Sequence, residues 1–319
     1  MPEAWFASGT FFFLSSFFDL VAMQEVEEFL AYMLYQRRCS PLTVAAYRVD
    51  MREFVDFLGA NEVASPLAAT TRLVRRWMMS LLAQGISPRS VNRKVASLRS
   101  FFRYFCSIGK LGVNPCRAVE SVKAPKKLPV FFHEEDMNRM LDPSLFPDNF
   151  EGRRDRAILQ FFYLTGVRVS ELVNMTVSQV DLSLGQILVN GKRNKQRIIP
   201  VTPALKSILF SYLQVRETEF GAPGQADRLF VTSGGAPVYP RLVYGIVHSH
   251  MAMVASASKM SPHVLRHTFA TVLLNHGADL LAIKELLGHS SLAATQIYAH
   301  SDFEQLNKIY KQAHPRAEN

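Results

Sequence analysis

At 319 residues the chain can hold two domains with cores of their own, and its 48% hydrophobic and 20% charged content is that of an ordinary globular protein. Three cysteines (Cys39, Cys106, Cys116), odd in number and without CxxC spacing, exclude a disulfide framework and a zinc ribbon and indicate a reducing compartment. The formal net charge of +9 points to an anionic partner, nucleic acid first, with a solvated basic surface as the plain alternative.

Residues 4–22 are apolar and Phe-rich, yet no Lys or Arg precedes them, as a secretory leader requires. Gly9, Thr10, Ser15, Ser16 and Asp19 interrupt the run of roughly 20 apolar residues that a spanning helix needs, so no membrane partner is expected. Domain-like periodicity begins near Met23. Residues 1–22 are therefore read as an extension and Met23 as the working start.

Val26, Phe29, Leu30, Met33 and Leu34 share one helical face, as do Val44, Tyr47, Met51, Phe54 and Phe57 in the next segment. Ser40-Pro41 and Ser87-Pro88 are helix starts, Ser as cap and Pro at the first helical position. The second opens a helix carrying Arg89, Arg93, Lys94, Arg99 and Arg103 beside apolar Val91, Val95, Leu98, Phe101 and Phe102. Such a helix can bury one face and offer cations to phosphates on another. Asn114-Pro115 ends this helical region, and the basic stretch SVKAPKKLPV (121–130) reads as an extended linker. Helical pattern returns, including over residues 155–175. The run QILVNGKRNKQRIIPV (186–201) is two β-branched strands around a polar turn, and helices resume from Pro203.

The chemistry-bearing residues are Arg168 in LTGVRVSEL, with Glu171 three residues on; Lys192 in GKRNKQR; His263 and Arg266 in PHVLRH; the pair Gly288-His289; and Tyr298. Two Arg, two His, one Lys and one Tyr, with no Asp/Glu cluster for a metal, suit chemistry on a phosphodiester by an amino-acid nucleophile. Guanidinium forks match phosphate oxygens and are worth most where charge grows in a transition state. Histidine can hydrogen-bond a phosphate oxygen or shuttle a proton. His263 and His267 stand four apart, but HVLRH lacks the Glu of HExxH and no third ligand is evident, so no metal is expected. GxxxxGK[ST] is absent, which excludes a P-loop.

LTGVRVSEL, GKRNKQR, HVLRHTFAT, LGHSS and QIYAH, in this order, resemble the tyrosine recombinase family over residues 24–316. Within it the chain is similar to the Xer chromosome-dimer resolvases: SPLTVAAYRVDM is typical of their N-terminal domain, and KIYKQAHPRA resembles their C-type rather than D-type members. The resemblance implies a mainly α fold. Residues 23–107 would form a helical core-binding (SAM-like) domain, 108–130 a linker, 131–312 an α-rich catalytic domain with a small antiparallel β-sheet, and 313–319 a C-terminal tail.

It implies Tyr298 as nucleophile, forming a 3′-phosphotyrosyl link, with Arg168 and Arg266 on the non-bridging oxygens. Lys192 would protonate the leaving 5′-oxygen, Glu171 would orient the site, and His263 and His289 would complete it. Arg193, Lys195 and Arg197 are read as phosphate contacts, alongside Arg89, Arg93, Lys94 and Arg99. The energy stays in the covalent link, so no cofactor, metal or ATP is expected. The expected partners are double-stranded DNA, a second Xer-type recombinase in a tetramer on paired sites, and a DNA translocase, in the cytoplasm. Phe303, Leu306 and Ile309, at helical spacing, are expected to dock on a neighbouring protomer. A mobile-element integrase, a type IB topoisomerase and a catalytically silent DNA-binding regulator stay open as rivals. Protein made from its own gene is expected to have an intact mass that starts at Met23; a mass including residues 1–22 would refute that reading.

Overall fold

The computed structural model describes residues 22–125, 131–191, 196–224, 227–254, 260–288, 310 and 313–314. The reading of residues 1–22 as an extension lies almost wholly outside them. The chain divides into two compact units, residues 1–127 and 128–319. No helix among the described residues is long and apolar enough to cross a membrane.

In the first unit, helix α1 is described from residue 22 to 31 and widens into a π-helical turn at Tyr32–Gln36. Helices α2 (Pro41–Gly59), α3 (Thr71–Ala83) and α4 (Pro88–Ser107) follow. Ser40 and Ser87 cap α2 and α4, each hydroxyl accepting from a backbone N–H three residues on at 3.2 Å. The apolar stripes meet in one core, where Phe54 packs edge-on to Trp77 at 5.0 Å and Phe29 edge-on to Phe101 at 5.4 Å.

The basic face of α4 departs from expectation. Asp50 of α2 is fully buried and takes both Arg93 Nη groups (2.6 and 2.8 Å), Ser97 Oγ (2.7 Å) and Lys94 Nζ (3.3 Å). Lys94 also reaches Glu53 at 2.5 Å and is itself buried. A buried carboxylate needs cations and donors around it, and this one takes them from α4. Lys94 is therefore an internal ion-pair partner, and Arg93 is held by Asp50, while Arg89 stays exposed.

The expected linker differs too. Cys116 and Val119 are buried in the first unit's core. The irregular chain around them satisfies its carbonyls on side chains of α3 and α4: Thr71 donates to Pro115, Arg75 to Ala118 and Arg99 to Val119. Asn92 exchanges two 2.8 Å bonds with the backbone of Val122. This strap belongs to the domain, and Arg99 holds it in place.

The second unit is built around α6 (Phe150–Thr165), whose residues 157–165 are all buried beneath α8 (Pro203–Phe220) and α10 (Pro262–Asn275). Helices α5 (Glu134–Met140), α7 (Val169–Asn174), α9 (Pro240–Val254) and α11 (Leu280–Leu287) complete its helical part. The expected hairpin is present as β2 (Gln186–Asn190) and β3 (Gln196–Pro200), paired antiparallel from Gln186↔Pro200 to Asn190↔Gln196. A two-residue strand β1 (Val180–Asp181) adds an edge that the sequence did not suggest. Ile187, Val189 and Ile199 turn one face of the sheet into the core.

Of the C-terminal segment, Phe303, Leu306 and Ile309 lie outside the described residues. Tyr310, Ala313 and His314 are buried in this chain's own core, Tyr310 donating to the carbonyl of Leu164 at 2.5 Å. Asp50→Ala should lower the stability of the first unit by about 3 kcal/mol, as Arg93 and Ser97 lose this acceptor and Lys94 keeps only Glu53. Urea unfolding of the full chain followed by tryptophan fluorescence measures this, and an unchanged midpoint would contradict it.

Candidate active site

The pattern over 155–175 suggests one helix, but the chain breaks at Gly166, which caps α6 in the left-handed region at φ +58°. A side chain there is excluded as well: a Cβ would sit 2.4 Å from the Phe269 ring. The turn exposes the Gly166 carbonyl and makes Arg168 the residue that starts α7. Glu171, three residues on, accepts from the Arg168 backbone N–H (2.8 Å) and from its Nη1 (2.8 Å).

Arg266 comes from the first turns of α10 and is buried. Its Nη1 donates to the Gly166 carbonyl and its Nη2 to that of Leu287 at 2.6 Å. Arg197 comes from β3 with its side chain 10% exposed. It donates Nε to Leu286 O (2.7 Å) and its two Nη groups to the two oxygens of Glu171 (3.0 and 2.8 Å). Arg168, the most open of the three at 35%, makes a longer bond from Nη2 to Gly288 O at 3.4 Å.

Three guanidiniums thus meet three successive carbonyls at the end of α11, those of Leu286, Leu287 and Gly288. The C-terminal end of a helix carries unpaired carbonyls and partial negative charge, which suits cations. Gly288 closes α11 in the left-handed region at φ +63°, and a Cβ there would lie 3.1 Å from Arg197 Nη1.

Charge explains the titration. Burial pulls the Glu171 carboxyl up, but its bonds to Arg197 and Arg168 outweigh this and hold it below the ordinary carboxylate value. Burial and the neighbouring Arg168 and Arg197 charges push Arg266 down to about 10, still well above neutrality, so it stays cationic. One carboxylate against three guanidiniums leaves the cluster positive and suited to an anion.

Beside it, between α10 and α11, lies a groove of about 410 Å³ lined by His263, Arg266, His267, Ala270, Ile283 and Lys284. His263 is exposed at its mouth, one turn before Arg266. Among the expected residues the structure brings together Arg168, Glu171, Arg266, His263 and Arg197. Lys192, Arg193, Lys195, His289 and Tyr298 lie outside the described residues. Arg197, read as a phosphate contact, is turned inward and bonded to Glu171 and to Leu286 O. Sequence reasoning missed Lys284, for which an isolated cation on a short helix gives no signal, and the turn-forming roles of Gly166 and Gly288.

The Phage integrase family model matches residues 131–305, and the model of its N-terminal SAM-like domain matches residues 26–107. The chain belongs to the phage integrase family, the tyrosine recombinases, and is a site-specific recombinase. Among its relatives, the tyrosine recombinase XerC of Chlorobaculum parvum is 38% identical over 92% of this chain and 94% of that protein. The tyrosine recombinase XerC of Oceanobacillus iheyensis is 36% identical over 92% of this chain and 96% of that one. The fold is shared with the XerH site-specific recombinase bound to palindromic difH substrate in a post-cleavage complex, at TM-score 0.69 and 21% identity over 93% of this chain and 94% of that one.

A carboxyl held low in the folded state adds stability that is complete above its ordinary value of 4.5 and is lost as pH falls below it through the folded value. Glu171→Gln should therefore flatten the fall in unfolding free energy between about pH 5 and about pH 3 relative to wild type. Urea unfolding at several pH values tests this, and parallel curves would refute it.

Proposed function

We propose that this chain binds double-stranded DNA and cuts and rejoins it at a specific site, resolving chromosome dimers for segregation at cell division. The observation that carries the chemical part is the convergence of Arg168 and Arg266 at the end of α11, where the next residue in the chain is His289 and Tyr298 follows nine later. The Tyr298 phenolate oxygen attacks the scissile phosphorus, forming a 3′-phosphotyrosyl bond as the bond to the 5′-oxygen breaks. Lys192 gives that oxygen its proton, so the strand leaves as a 5′-hydroxyl. Arg168 and Arg266 meet the growing charge on the non-bridging oxygens, with His263 and His289 as hydrogen-bonding partners and Glu171 orienting Arg168. A 5′-hydroxyl from a partner strand reverses the step and exchanges the ends.

The cellular role is supported by relatives named tyrosine recombinase XerC at 36–38% identity over more than nine-tenths of the chain. In that role the protein works in the cytoplasm, in a tetramer with a second Xer-type recombinase on paired sites, under a DNA translocase. In the N-terminal unit, exposed Arg89 and Arg103 of α4 offer cations to phosphates.

Covalent trapping tests this. A nicked suicide duplex carrying the host's candidate chromosome-dimer site should give a protein–DNA adduct on a denaturing gel, and Tyr298→Phe should give none. No adduct from wild type, alone or with the partner recombinase supplied, would overturn the proposal in favour of a silent DNA-binding regulator.

A further inference from the structure

Arg197 is the one guanidinium of the cluster that engages both oxygens of Glu171 through its two Nη groups. Its side chain is 10% exposed, and its donors go to Glu171 and to Leu286 O. These bonds turn its fork toward the carboxylate and the end of α11. Arg168 has the opposite character: its side chain is 35% exposed, and it makes one bond to the carboxylate and one long bond to Gly288 O. Glu171 Oε1 is shared by Nη1 of both arginines, at 2.8 Å from Arg168 and 3.0 Å from Arg197.

We propose that Arg197 is a positioning residue for Arg168, engaging both oxygens of Glu171 so that the Arg168 fork keeps its charge and its free donors for a phosphate. This rests on the recombinase reading of the site. Without Arg197, the nearest cation to the Glu171 carboxylate is Arg168, and a planar fork and a carboxylate three residues apart on one helix close into a two-bond pair. That pair would neutralise Arg168 and withdraw the donors that the phosphate needs. Arg197 also ties β3 to the end of α11 through Leu286 O, and Gly288 packs against its guanidinium. It thus holds the carboxylate and the helix end in one register, touching neither phosphate nor nucleophile.

The test uses full-length Arg197→Gln, Glu171→Gln and the double variant on the nicked suicide duplex. Single-turnover cleavage at saturating protein is measured beside DNA affinity and its salt dependence. Arg197→Gln should cleave about 100-fold more slowly, with affinity and salt slope as in wild type. Adding Glu171→Gln should recover part of that rate, because no carboxylate is left to capture Arg168; independent structural damage would lower it further. Replacing the bridging 5′-oxygen by sulfur, a leaving group that needs no proton, should leave the Arg197→Gln defect in place.

Weaker binding with a smaller salt slope and normal cleavage at saturation would make Arg197 a phosphate contact and overturn the proposal. Rescue by sulfur would place its action on the leaving group, and an unchanged rate would remove its role; either refutes it. If Arg197→Gln does not fold, Arg197→Lys carries the same test, since an ammonium keeps the charge but lacks the planar fork that matches the two oxygens and the Nε donor that reaches Leu286 O. Wild type runs in every series: absence of its adduct would be a failure of the recombinase reading, not of this one.

Discussion

The Glu171 carboxylate, held between Arg168 and Arg197 at the end of α11, is the constraint on which the second unit is arranged. A carboxylate this buried stays ionised only if cations surround it, and cations this enclosed stay charged only if acceptors meet their remaining donors. The acceptors are the last carbonyls of α11, which every helix leaves unpaired. The partners thus come from three elements: Glu171 and its capping residue Arg168 from α7, Arg197 from β3, Arg266 from α10. The glycine turn at 166 adds one more carbonyl, and its close approach to Phe269 ties it to the core.

The first unit uses the same elements of chemistry in the opposite proportion. There one buried carboxylate, Asp50, gathers Arg93, Lys94 and Ser97, and Lys94 goes on to Glu53. Three of the five α4 cations, Arg93, Lys94 and Arg99, are thus tied to partners within the domain. The formal charge of +9 therefore does not map onto the surface in proportion to the sequence. Arg99 makes the same point, its guanidinium satisfying the backbone of the strap that closes the unit.

What was legible in the sequence was local. The Ser-Pro caps, the apolar stripes of α1, α2 and α4 and the β2–β3 hairpin depend on neighbours within a few residues, and a sequence states those directly. What was not legible depends on partners far along the chain. Asp50 and Lys94 are 44 residues apart, Arg197 and Glu171 26, Arg197 and Leu286 89, and Arg266 and Gly166 100. A cation in a basic run reads as surface until its carboxylate is found, which is why Lys94 and Arg197 were assigned to phosphate. The break at Gly166 falls between these cases: glycine marks it, but a helical pattern continuing on both sides conceals it.

The imbalance of charge at the guanidinium cluster has an energetic meaning. Holding Arg266 at about 10, down from 12.5, reflects a folded state that resists its charge, a penalty on the order of 3 kcal/mol at neutral pH. A second carboxylate would offset that penalty and weaken the capacity to bind an anion. Backbone carbonyls orient Arg266 without cancelling its charge, because a dipole supplies hydrogen bonds and no net charge. Burial is the largest source of that penalty and the neighbouring charges of Arg168 and Arg197 add to it, and an anion beside them relieves both. The relief grows with the negative charge on that anion. A phosphate passing through a pentacoordinate state draws more of it than one at rest, and that difference is what accelerates a reaction.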